Sequence, residues 1–262
     1  MKIIVCIKQV PDTTEVKINP ETNTLIREGV SSIINPFDMY AIEEALRIKE
    51  KHGAETVVIT MGPPQAEGAL REALAMGIDQ AVHLSDRAFA GSDTWSTSLI
   101  LAKAIKKIGQ FDMVICGKQA SDGDTAQVGP GIATHINLTQ ATYVRKIDAV
   151  DTTRKTVRLE RLLEDGIEIL EVTMPTLITV VKEINEPRFP SLRGKMRAKS
   201  QVITVWKHTD IGLGEEELGL KGSPTQVVRI FTPPPRDKGV MFEGEPEAIV
   251  GKLVEELKKN LV

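Results

Sequence analysis

The part of this sequence best suited to binding chemistry is a glycine-rich polar segment at residues 117–130. It directly follows residues 111–116, an apolar run typical of a buried strand. When a strand gives way to such a segment and the chain then enters a helix, several backbone N–H groups are left without partners. Those groups and the helix dipole favour a bound pyrophosphate. Glycine and aspartate also form ordinary turns, so composition alone leaves a plain turn as the alternative.

Motifs for other kinds of chemistry do not occur in the sequence. It contains no GxGxxG, and none of its Gly-Lys pairs is preceded by the glycine that a P-loop needs. The serines lack a nucleophile-elbow context, and the four histidines are scattered singly, at His52, His83, His135 and His208. We therefore predict no catalytic side chain and interpret the histidines as surface or packing residues.

The composition is that of an ordinary globular chain. Its 262 residues are 41% hydrophobic, enough for a substantial core, and the net charge of −3 gives no argument for nucleic acid binding. Cys6 and Cys116 lie in separate apolar runs without metal-ligand spacing, so we predict two ordinary strand residues and no metal site. Only five apolar residues precede Lys8, too few for a signal peptide or a membrane span. We expect a cytoplasmic protein without membrane insertion.

The first two-thirds of the chain alternates short apolar runs with helical patterns. Strands are predicted at residues 3–7, 56–59, 81–84 and 113–116, and helices at residues 39–51, 65–75, 94–108 and 125–136. Such alternation predicts an α/β fold with a doubly wound, mostly parallel, Rossmann-like sheet. Ligands of this fold bind outside the carboxyl ends of the strands, near the point where the strand order reverses.

Two further patterns follow this alternation. Residues 143–181 change to period-two alternation around Glu164-Asp165-Gly166, which predicts an antiparallel hairpin. Residues 185–262 are polar and irregular, and end in a helical pattern whose single apolar stripe needs a partner surface: Val250, Val254, Leu257 and Leu261. We predict an α/β domain at residues 1–184, with the hairpin as an extension, and a C-terminal arm at residues 185–262.

Two segments have the pattern of a helix start. Asn35 and Pro36 fit an N-cap followed by proline at the first helical position, and Asp38 would lie in the first turn. Residues 92–94, Ser-Asp-Thr, are likewise more simply a cap than a ligand site. On the residues alone, both segments fit capping without any further role.

Several segments resemble the electron-transfer flavoprotein beta subunit. The residues GKQA at 117–120 and DGDTAQVG at 122–129 are similar to the nucleotide-binding loop of that family. Four further segments match it in the same order: VCIKQVPDT at 5–13, NPFD at 35–38, TMGP at 60–63 and NEPRF at 185–189. Ordered matches over nearly the whole chain are much harder to meet by chance than one short motif. The chain is therefore identified as a member of this family.

The resemblance implies an adenine-nucleotide site at the carboxyl edge of the sheet. The residues that it implies as ligands are Cys6, Asn35, Phe37, Asp38, Met61, Thr94, Gly117, Gln119, Asp122, Gly123, Asp124, Thr125, Ala126, Gln127, Val128 and Gly129. The first five would surround the base and ribose, and residues 117–129 would wrap the phosphates. Because Asp122 and Asp124 would repel phosphate, we expect one of them to orient the loop or to bind ribose hydroxyls instead.

The subtype decides which nucleotide is bound. Respiratory members hold AMP in the beta subunit, whereas electron-bifurcating members bind FAD there, which NADH reduces. Thr13 and residues 92–94 and 122–129 resemble the bifurcating pattern, since respiratory members carry an aromatic residue at the position of Thr13 and bulkier, more acidic residues around Gly123. FAD is thus implied, with an AMP-holding scaffold as the alternative. A stand-alone nucleotide-binding regulatory module is a second alternative, which the prolines and the amphipathic tail disfavour.

The resemblance also implies partners. They are an alpha subunit on which the C-terminal arm packs, an acyl-CoA dehydrogenase-type flavoenzyme, and ferredoxin or flavodoxin. The basic segment at residues 188–199 matches the region that docks the dehydrogenase, with Leu192 as its anchor beside Arg193 and Lys195. An exposed leucine among basic residues suits a transient acidic partner, although the residues alone favour a solvated basic loop.

Overall fold

A computed structural model of the chain describes residues 1–12, 32–228 and 239–259. Thr13 and Leu261, which entered the sequence predictions, lie outside the described residues. The chain divides into two compact units, residues 1–228 and residues 229–262. Among the helices of the described ranges, none is long and apolar enough to cross a membrane.

The secondary structure of the first unit alternates as an α/β fold. Its strands are β1 (Lys2–Cys6), β2 (Gln9–Pro11), β3 (Ser32–Ile34), β4 (Glu55–Met61), β5 (Gln80–Leu84), β6 (Met113–Gly117), β7 (Thr139–Asp151), β8 (Thr156–Leu163), β9 (Gly166–Thr173), β10 (Thr176–Val180) and β11 (Thr204–Trp206). Its helices are α1 (Pro36–His52), α2 (Glu67–Met76), α3 (Thr94–Ile108), α4 (Val128–Ile136) and α5 (Leu192–Ser200). Short 3-10 helices cover Pro64–Ala66, Arg87–Phe89, Lys182–Ile184, His208–Ile211 and Glu215–Glu217.

A nine-stranded sheet forms the centre of this unit, in the order β11-β5-β4-β1-β6-β10-β7-β8-β9. The pairs from β11 to β7 are parallel, and β7, β8 and β9 are antiparallel. β2 and β3 form a separate antiparallel pair. The predicted α/β class and mostly parallel sheet are confirmed. Because the chain builds outward from β1 to β4 and β5, then crosses to β6, the strand order reverses between β1 and β6.

Helices cover both faces of the parallel strands. The residues of β1 alternate between two cores, Ile3 and Val5 packing with α1 and α2, and Ile4 and Cys6 packing with α3 and α4. Burial on both faces explains why the central strands are continuous apolar runs. The β8–β9 hairpin turns at residues 164 and 165, where Leu163 pairs with Gly166, as the sequence predicted.

Helix α4 begins at Val128, so the predicted start at residue 125 is wrong. Asp124 and Ala126 have left-handed backbone conformations, with φ of 49° and 54°, which an α-helix cannot contain. The first helical hydrogen bond runs from the Gly131 N–H to the Gln127 carbonyl. The residues before Val128 therefore belong to the loop.

Residues 185–228 contain more regular structure than the polar sequence indicated, because contacts distant in sequence hold them. Helix α5 packs along α2, where Arg71 donates hydrogen bonds to the carbonyls of Ala198 and Gln201. Arg188 forms ion pairs with Glu43 and Glu50 of α1. β11 extends the sheet beside β5. These residues belong to the first compact unit.

Residues 208–225 form a strap across the turn that precedes α3. The Ser96 hydroxyl donates to the Glu217 carbonyl, and the Ser92 hydroxyl accepts from the Gly219 N–H. Gly91 lies so close to the strap that a Cβ there would be 2.7 Å from Leu220. The strap is thus fixed to the start of α3 by backbone and side-chain contacts.

The described part of the second unit contains one helix, α6 (Pro246–Lys259). None of its residues is buried. Its apolar stripe is partly exposed along its length, with exposed fractions of 58% for Val250, 45% for Leu253, 42% for Val254 and 52% for Leu257. The sequence predicted the helix and three of these stripe residues, Val250, Val254 and Leu257.

Candidate functional site

The predicted site residues converge on the carboxyl edge of the sheet, at the reversal of strand order. β1 and β6 are neighbours in register there, with Cys6 opposite Cys116. The loops that leave these two strands diverge, one towards β2 and the other over residues 118–127 into α4. We call residues 117–127 the cradle loop. The position is the one where ligands of doubly wound sheets bind.

The backbone of the cradle loop has the geometry of an anion site. Asp124 and Ala126 adopt left-handed conformations on either side of Thr125, and the start of α4 follows directly. The backbone N–H groups of residues 125–129 make no hydrogen bond within the described residues. Successive N–H groups in alternating backbone conformations form a concavity for anions, and the helix dipole adds to it.

Asn35 holds the cradle loop in place. Its side-chain Oδ1 accepts a hydrogen bond from the Ser121 N–H at 3.0 Å, and its Nδ2 donates to the Gln119 carbonyl at 2.8 Å. The residue is fully buried. It stands at the N-cap position of α1 as predicted, with Pro36 following, but its side chain makes no capping hydrogen bond. The interpretation as a simple cap was therefore wrong, because both polar atoms bind the loop.

Asp38 joins the ends of β1 and β6. Its Oδ2 accepts from the Lys8 N–H at 2.7 Å and its Oδ1 from the Gly117 N–H at 3.2 Å. Gly117 is required here, since a Cβ would lie 2.3 Å from Asp38 Oδ1. Burial raises the pKa of the Asp38 carboxyl from its ordinary value of 3.8 to about 7, although the hydrogen bonds that it accepts oppose this shift.

Both acidic residues of the cradle loop bind other side chains. Lys8 Nζ lies 2.5 Å from Asp122 Oδ1, and Gln119 Nε2 donates to Asp124 Oδ1 at 2.7 Å. Both carboxylates thus hold side chains at the loop, and the expectation that one of them orients the loop or binds ribose hydroxyls stays a prediction. Lys8 was not among the predicted site residues. Its sequence signals were its place directly after the first strand and within the matched segment at residues 5–13.

Thr94 connects the cradle loop to α3. Its hydroxyl donates to Gln127 Oε1 at 2.8 Å. Asp93, the preceding residue, caps α3 by accepting the Ser96 N–H at 3.0 Å, as the sequence predicted. The other oxygen of Asp93 accepts both the N–H and the hydroxyl of Thr225 in the strap. Two consecutive residues, Asp93 and Thr94, therefore contact the strap and the cradle loop, respectively.

The remaining predicted residues line the two sides of this edge. Cys6 and Met61 lie on the side of α3 and α4. Phe37, at the start of α1, lies beside Lys118, whose Nζ is 5.8 Å from its ring centroid and 4.9 Å from that of Tyr143. Tyr143 was missed by sequence reasoning. Its φ of 59° is unusual for a bulky residue and has no signal in the sequence.

Gly123 differs from Gly117 in its surroundings. A Cβ at Gly123 would meet no atom within 4 Å in the described structure. The chain itself therefore gives no steric reason for glycine at this position of the cradle loop. A group approaching the loop from outside would supply one.

The predicted docking residues lie on α5, which packs against α2 rather than in the cradle loop. Leu192 is the first residue of α5 and is 78% exposed, between the exposed side chains of Phe189 and Met196. Ser191 caps the helix by accepting the Gly194 N–H at 3.0 Å. Among the described residues, no three His, Cys, Asp or Glu side chains are grouped to hold a metal ion.

The sequence matches the family model for the electron transfer flavoprotein domain over residues 22–211. It is 53% identical to the caffeyl-CoA reductase-Etf complex subunit CarD of Acetobacterium woodii, over 99% of each chain. It is 54% identical to the electron transfer flavoprotein subunit beta of Thermoanaerobacterium thermosaccharolyticum over the full length of both. Protein FixA of Azorhizobium caulinodans is 46% identical over 99% of this chain and 95% of its own. The domain match and these full-length relatives agree, and the chain belongs to the electron transfer flavoprotein family, among its beta subunits.

Proposed function

We propose that this chain is the beta subunit of a heterodimeric, electron-bifurcating flavoprotein and holds FAD at the carboxyl edge of its sheet. NADH is the proposed electron donor. The proposed acceptors are ferredoxin or flavodoxin and, through an FAD of the alpha subunit, an acyl-CoA dehydrogenase-type flavoenzyme. Similarity to a subunit named for a caffeyl-CoA reductase-Etf complex supports this subtype.

The observation that carries the proposal is the row of unpaired backbone N–H groups in residues 125–129, within the described chain. They stand at the start of α4, where a diphosphate is favoured by direct hydrogen bonds and by the helix dipole. The Thr125 hydroxyl is a further donor in the same stretch. The open space around Gly123 gives a diphosphate room to approach the backbone.

Bound FAD would supply the chemistry of accepting a hydride and releasing its electrons one at a time. The side chains described here keep the cradle ready for it. Asn35 fixes the base of the loop and the Lys8–Asp122 ion pair fixes its tip. Since Lys8 offsets the charge of Asp122, the acidic loop repels phosphate less than its sequence indicates.

Helix α5 is the proposed docking site for the dehydrogenase. Leu192 and Phe189 have exposed fractions of 78% and 96%. Hydrogen bonds hold the helix on α2. Arg71 of α2 donates to the Ala198 carbonyl of α5, and Arg197 of α5 donates to the Leu74 carbonyl of α2. An exposed apolar anchor on a rigid base, with Arg193 and Lys195 nearby, suits a partner with an apolar pocket and an acidic rim.

Cofactor analysis of the heterodimer tests the proposed function. The chain is co-expressed with its alpha subunit, saturated with FAD, freed of excess and denatured, and the released FAD and AMP are quantified. We expect two FAD and no AMP per heterodimer. One FAD with one AMP would reject FAD binding here and leave a scaffold without redox chemistry of its own.

A paired substitution locates the second FAD. Gly123→Asp adds charge where a Cβ meets open space, so it should leave the fold intact and lower the yield from two FAD to one. Gly239→Asp, whose Cβ also meets nothing within 4 Å, is the control and should retain two FAD. Equal FAD content in both variants would contradict the placement at the cradle loop.

A further inference from the structure

Cys6 and Cys116, the only two cysteines of the chain, form a pair at the reversal of strand order. They are in-register partners on the adjacent parallel strands β1 and β6. Both side chains point to the face covered by α3 and α4, so the two thiols leave the sheet side by side. Neither sequence spacing nor a disulfide marks them as a pair.

The pair can hold one bridging atom between its sulfurs. Adjacent strands are about 4.8 Å apart, and in-register side chains leave the sheet side by side. The pair lies under the start of α4, where a Cβ placed on Gly129 would be 3.9 Å from the Cβ of Cys116. Cys6 and Cys116 retain exposed fractions of 7% and 6%. Cys116 directly precedes Gly117, so the pair lies at the edge of the sheet from which the cradle loop leaves.

The surroundings of the pair select against most thiol reagents. The neighbouring thiol and burial raise the pKa of Cys116 well above its usual range, so the group stays protonated. Alkylating agents and metal ions need the thiolate, and they should react poorly. A trivalent arsenical carries an oxygen that removes the thiol protons as water, and its arsenic is a soft centre that prefers two sulfurs.

We propose that Cys6 and Cys116 form a dithiol site for trivalent organoarsenicals, with one arsenic atom bridging both sulfurs. With phenylarsine oxide, two As–S bonds form while the As–O bond and both S–H bonds break. The two protons and the oxygen leave as one water, and arsenic stays trivalent, so no oxidant or reductant is needed. The further expectation that bound nucleotide blocks the site rests on the proposed function.

The test strips the purified heterodimer of bound nucleotide, treats it with phenylarsine oxide, washes it with excess monothiol and measures the intact mass of this chain. We expect one phenylarsenic group per chain, resistant to the monothiol and released by a small dithiol. Cys6→Ser and Cys116→Ser should each lower retained arsenic at least tenfold. Met113→Leu removes a sulfur from the other face of β6 and leaves both thiols, so it should retain the adduct.

An adduct that the monothiol removes, equal retention in the single-cysteine variants, or no adduct on the folded protein would each overturn the proposal. Treatment after saturation with FAD is a separate arm and should slow capture. Stable capture at the same rate with and without FAD would uphold the dithiol site and count against a nucleotide at this edge. The two proposals can therefore fail independently.

Discussion

Asn35 is fully buried, yet both polar atoms of its side chain are hydrogen-bonded to the cradle loop. A buried amide without such partners would be costly, so the bonds stabilise the fold and fix the loop together. Asp38 acts in the same way on the ends of β1 and β6. At the scale of single residues, the site is built by polar side chains that bind backbone.

Replacing Asn35 tests this role. Asn35→Ala leaves the Ser121 N–H and the Gln119 carbonyl without their partner, which should lower the free energy of unfolding by about 2 to 4 kcal/mol. Nucleotide retained on purification should fall as well, because the loop loses its base. Urea denaturation and cofactor analysis measure the two effects. Gln110→Ala, an exposed amide, is the control; equal losses in both variants would contradict a specific role.

Asp38 predicts a dependence of stability on pH. Because its folded pKa of about 7 is above the ordinary 3.8, the folded state binds the proton more tightly than the unfolded state. The contribution of this group to the free energy of unfolding is therefore greatest below about pH 4. It falls as the pH rises to about 7, by at most about 1.4 kcal/mol for each pH unit.

The comparison of wild type with Asp38→Asn isolates this group from the other carboxylates. Urea denaturation at several values between pH 5 and pH 8 gives the free energy of unfolding of each protein. We expect the wild type to lose stability relative to the variant as the pH rises, until the difference levels off above pH 7. Parallel profiles would show that Asp38 does not titrate in this range.

At the scale of elements, the turn before α3 links the strap to the cradle loop. One carboxylate oxygen of Asp93 accepts a hydrogen bond from the Ser96 N–H, and the other accepts one from the Thr225 N–H. The Asp93 N–H donates to the Ser223 hydroxyl. Burial alone would raise the pKa of Asp93, but these hydrogen bonds hold it below its usual range. The adjacent Thr94 forms a hydrogen bond with Gln127 of the cradle loop. The strap and the cradle loop are therefore both attached to the first residues of α3.

Asp93→Ala should loosen both segments. Losing the cap and the bonds to Thr225 should cost about 1 to 2 kcal/mol. Hydrogen exchange measured by mass spectrometry should rise in residues 217–228 and in the cradle loop. Glu216→Ala removes only an exposed ion pair with Lys221 and should leave exchange in both segments unchanged. Faster exchange confined to the strap would refute the link through Thr94.

Local pattern determined how much of these elements could be predicted. Strands β1, β4, β5 and β6 and helix α3 have strong periodicity, and the β8–β9 hairpin has its turn residues, so all were found. The start of α4 was missed because the left-handed Asp124 and Ala126 have no sequence signature. α5 was missed because its stability comes from contacts with α2 that are distant in sequence.

For the whole molecule, alternation of strands and helices was enough to predict the sheet class, and it also indicated the edge at which we propose that a nucleotide binds. It could not predict which polar groups meet there. Lys8 and Asp122 are 114 positions apart, and their pairing depends on the strand order around β1 and β6. The residues that the family resemblance implies as nucleotide ligands lie around that edge. The side chains of Asn35 and Asp38, however, form hydrogen bonds with backbone groups of the chain itself.

The second unit should contribute to subunit assembly and little to the fold of the first. Its helix α6 has no buried residue and keeps about half of the Leu257 surface exposed, so its apolar stripe is free to bind the proposed alpha subunit.

Leu257→Gln should weaken alpha-subunit binding roughly tenfold, as loss of an interface anchor does, while the thermal midpoint of the isolated chain stays unchanged. Lys252→Gln, on the opposite face of the helix, should change neither quantity. Titration calorimetry with the alpha subunit and thermal melts measure both, and a lowered midpoint with unchanged affinity would assign the stripe to folding instead.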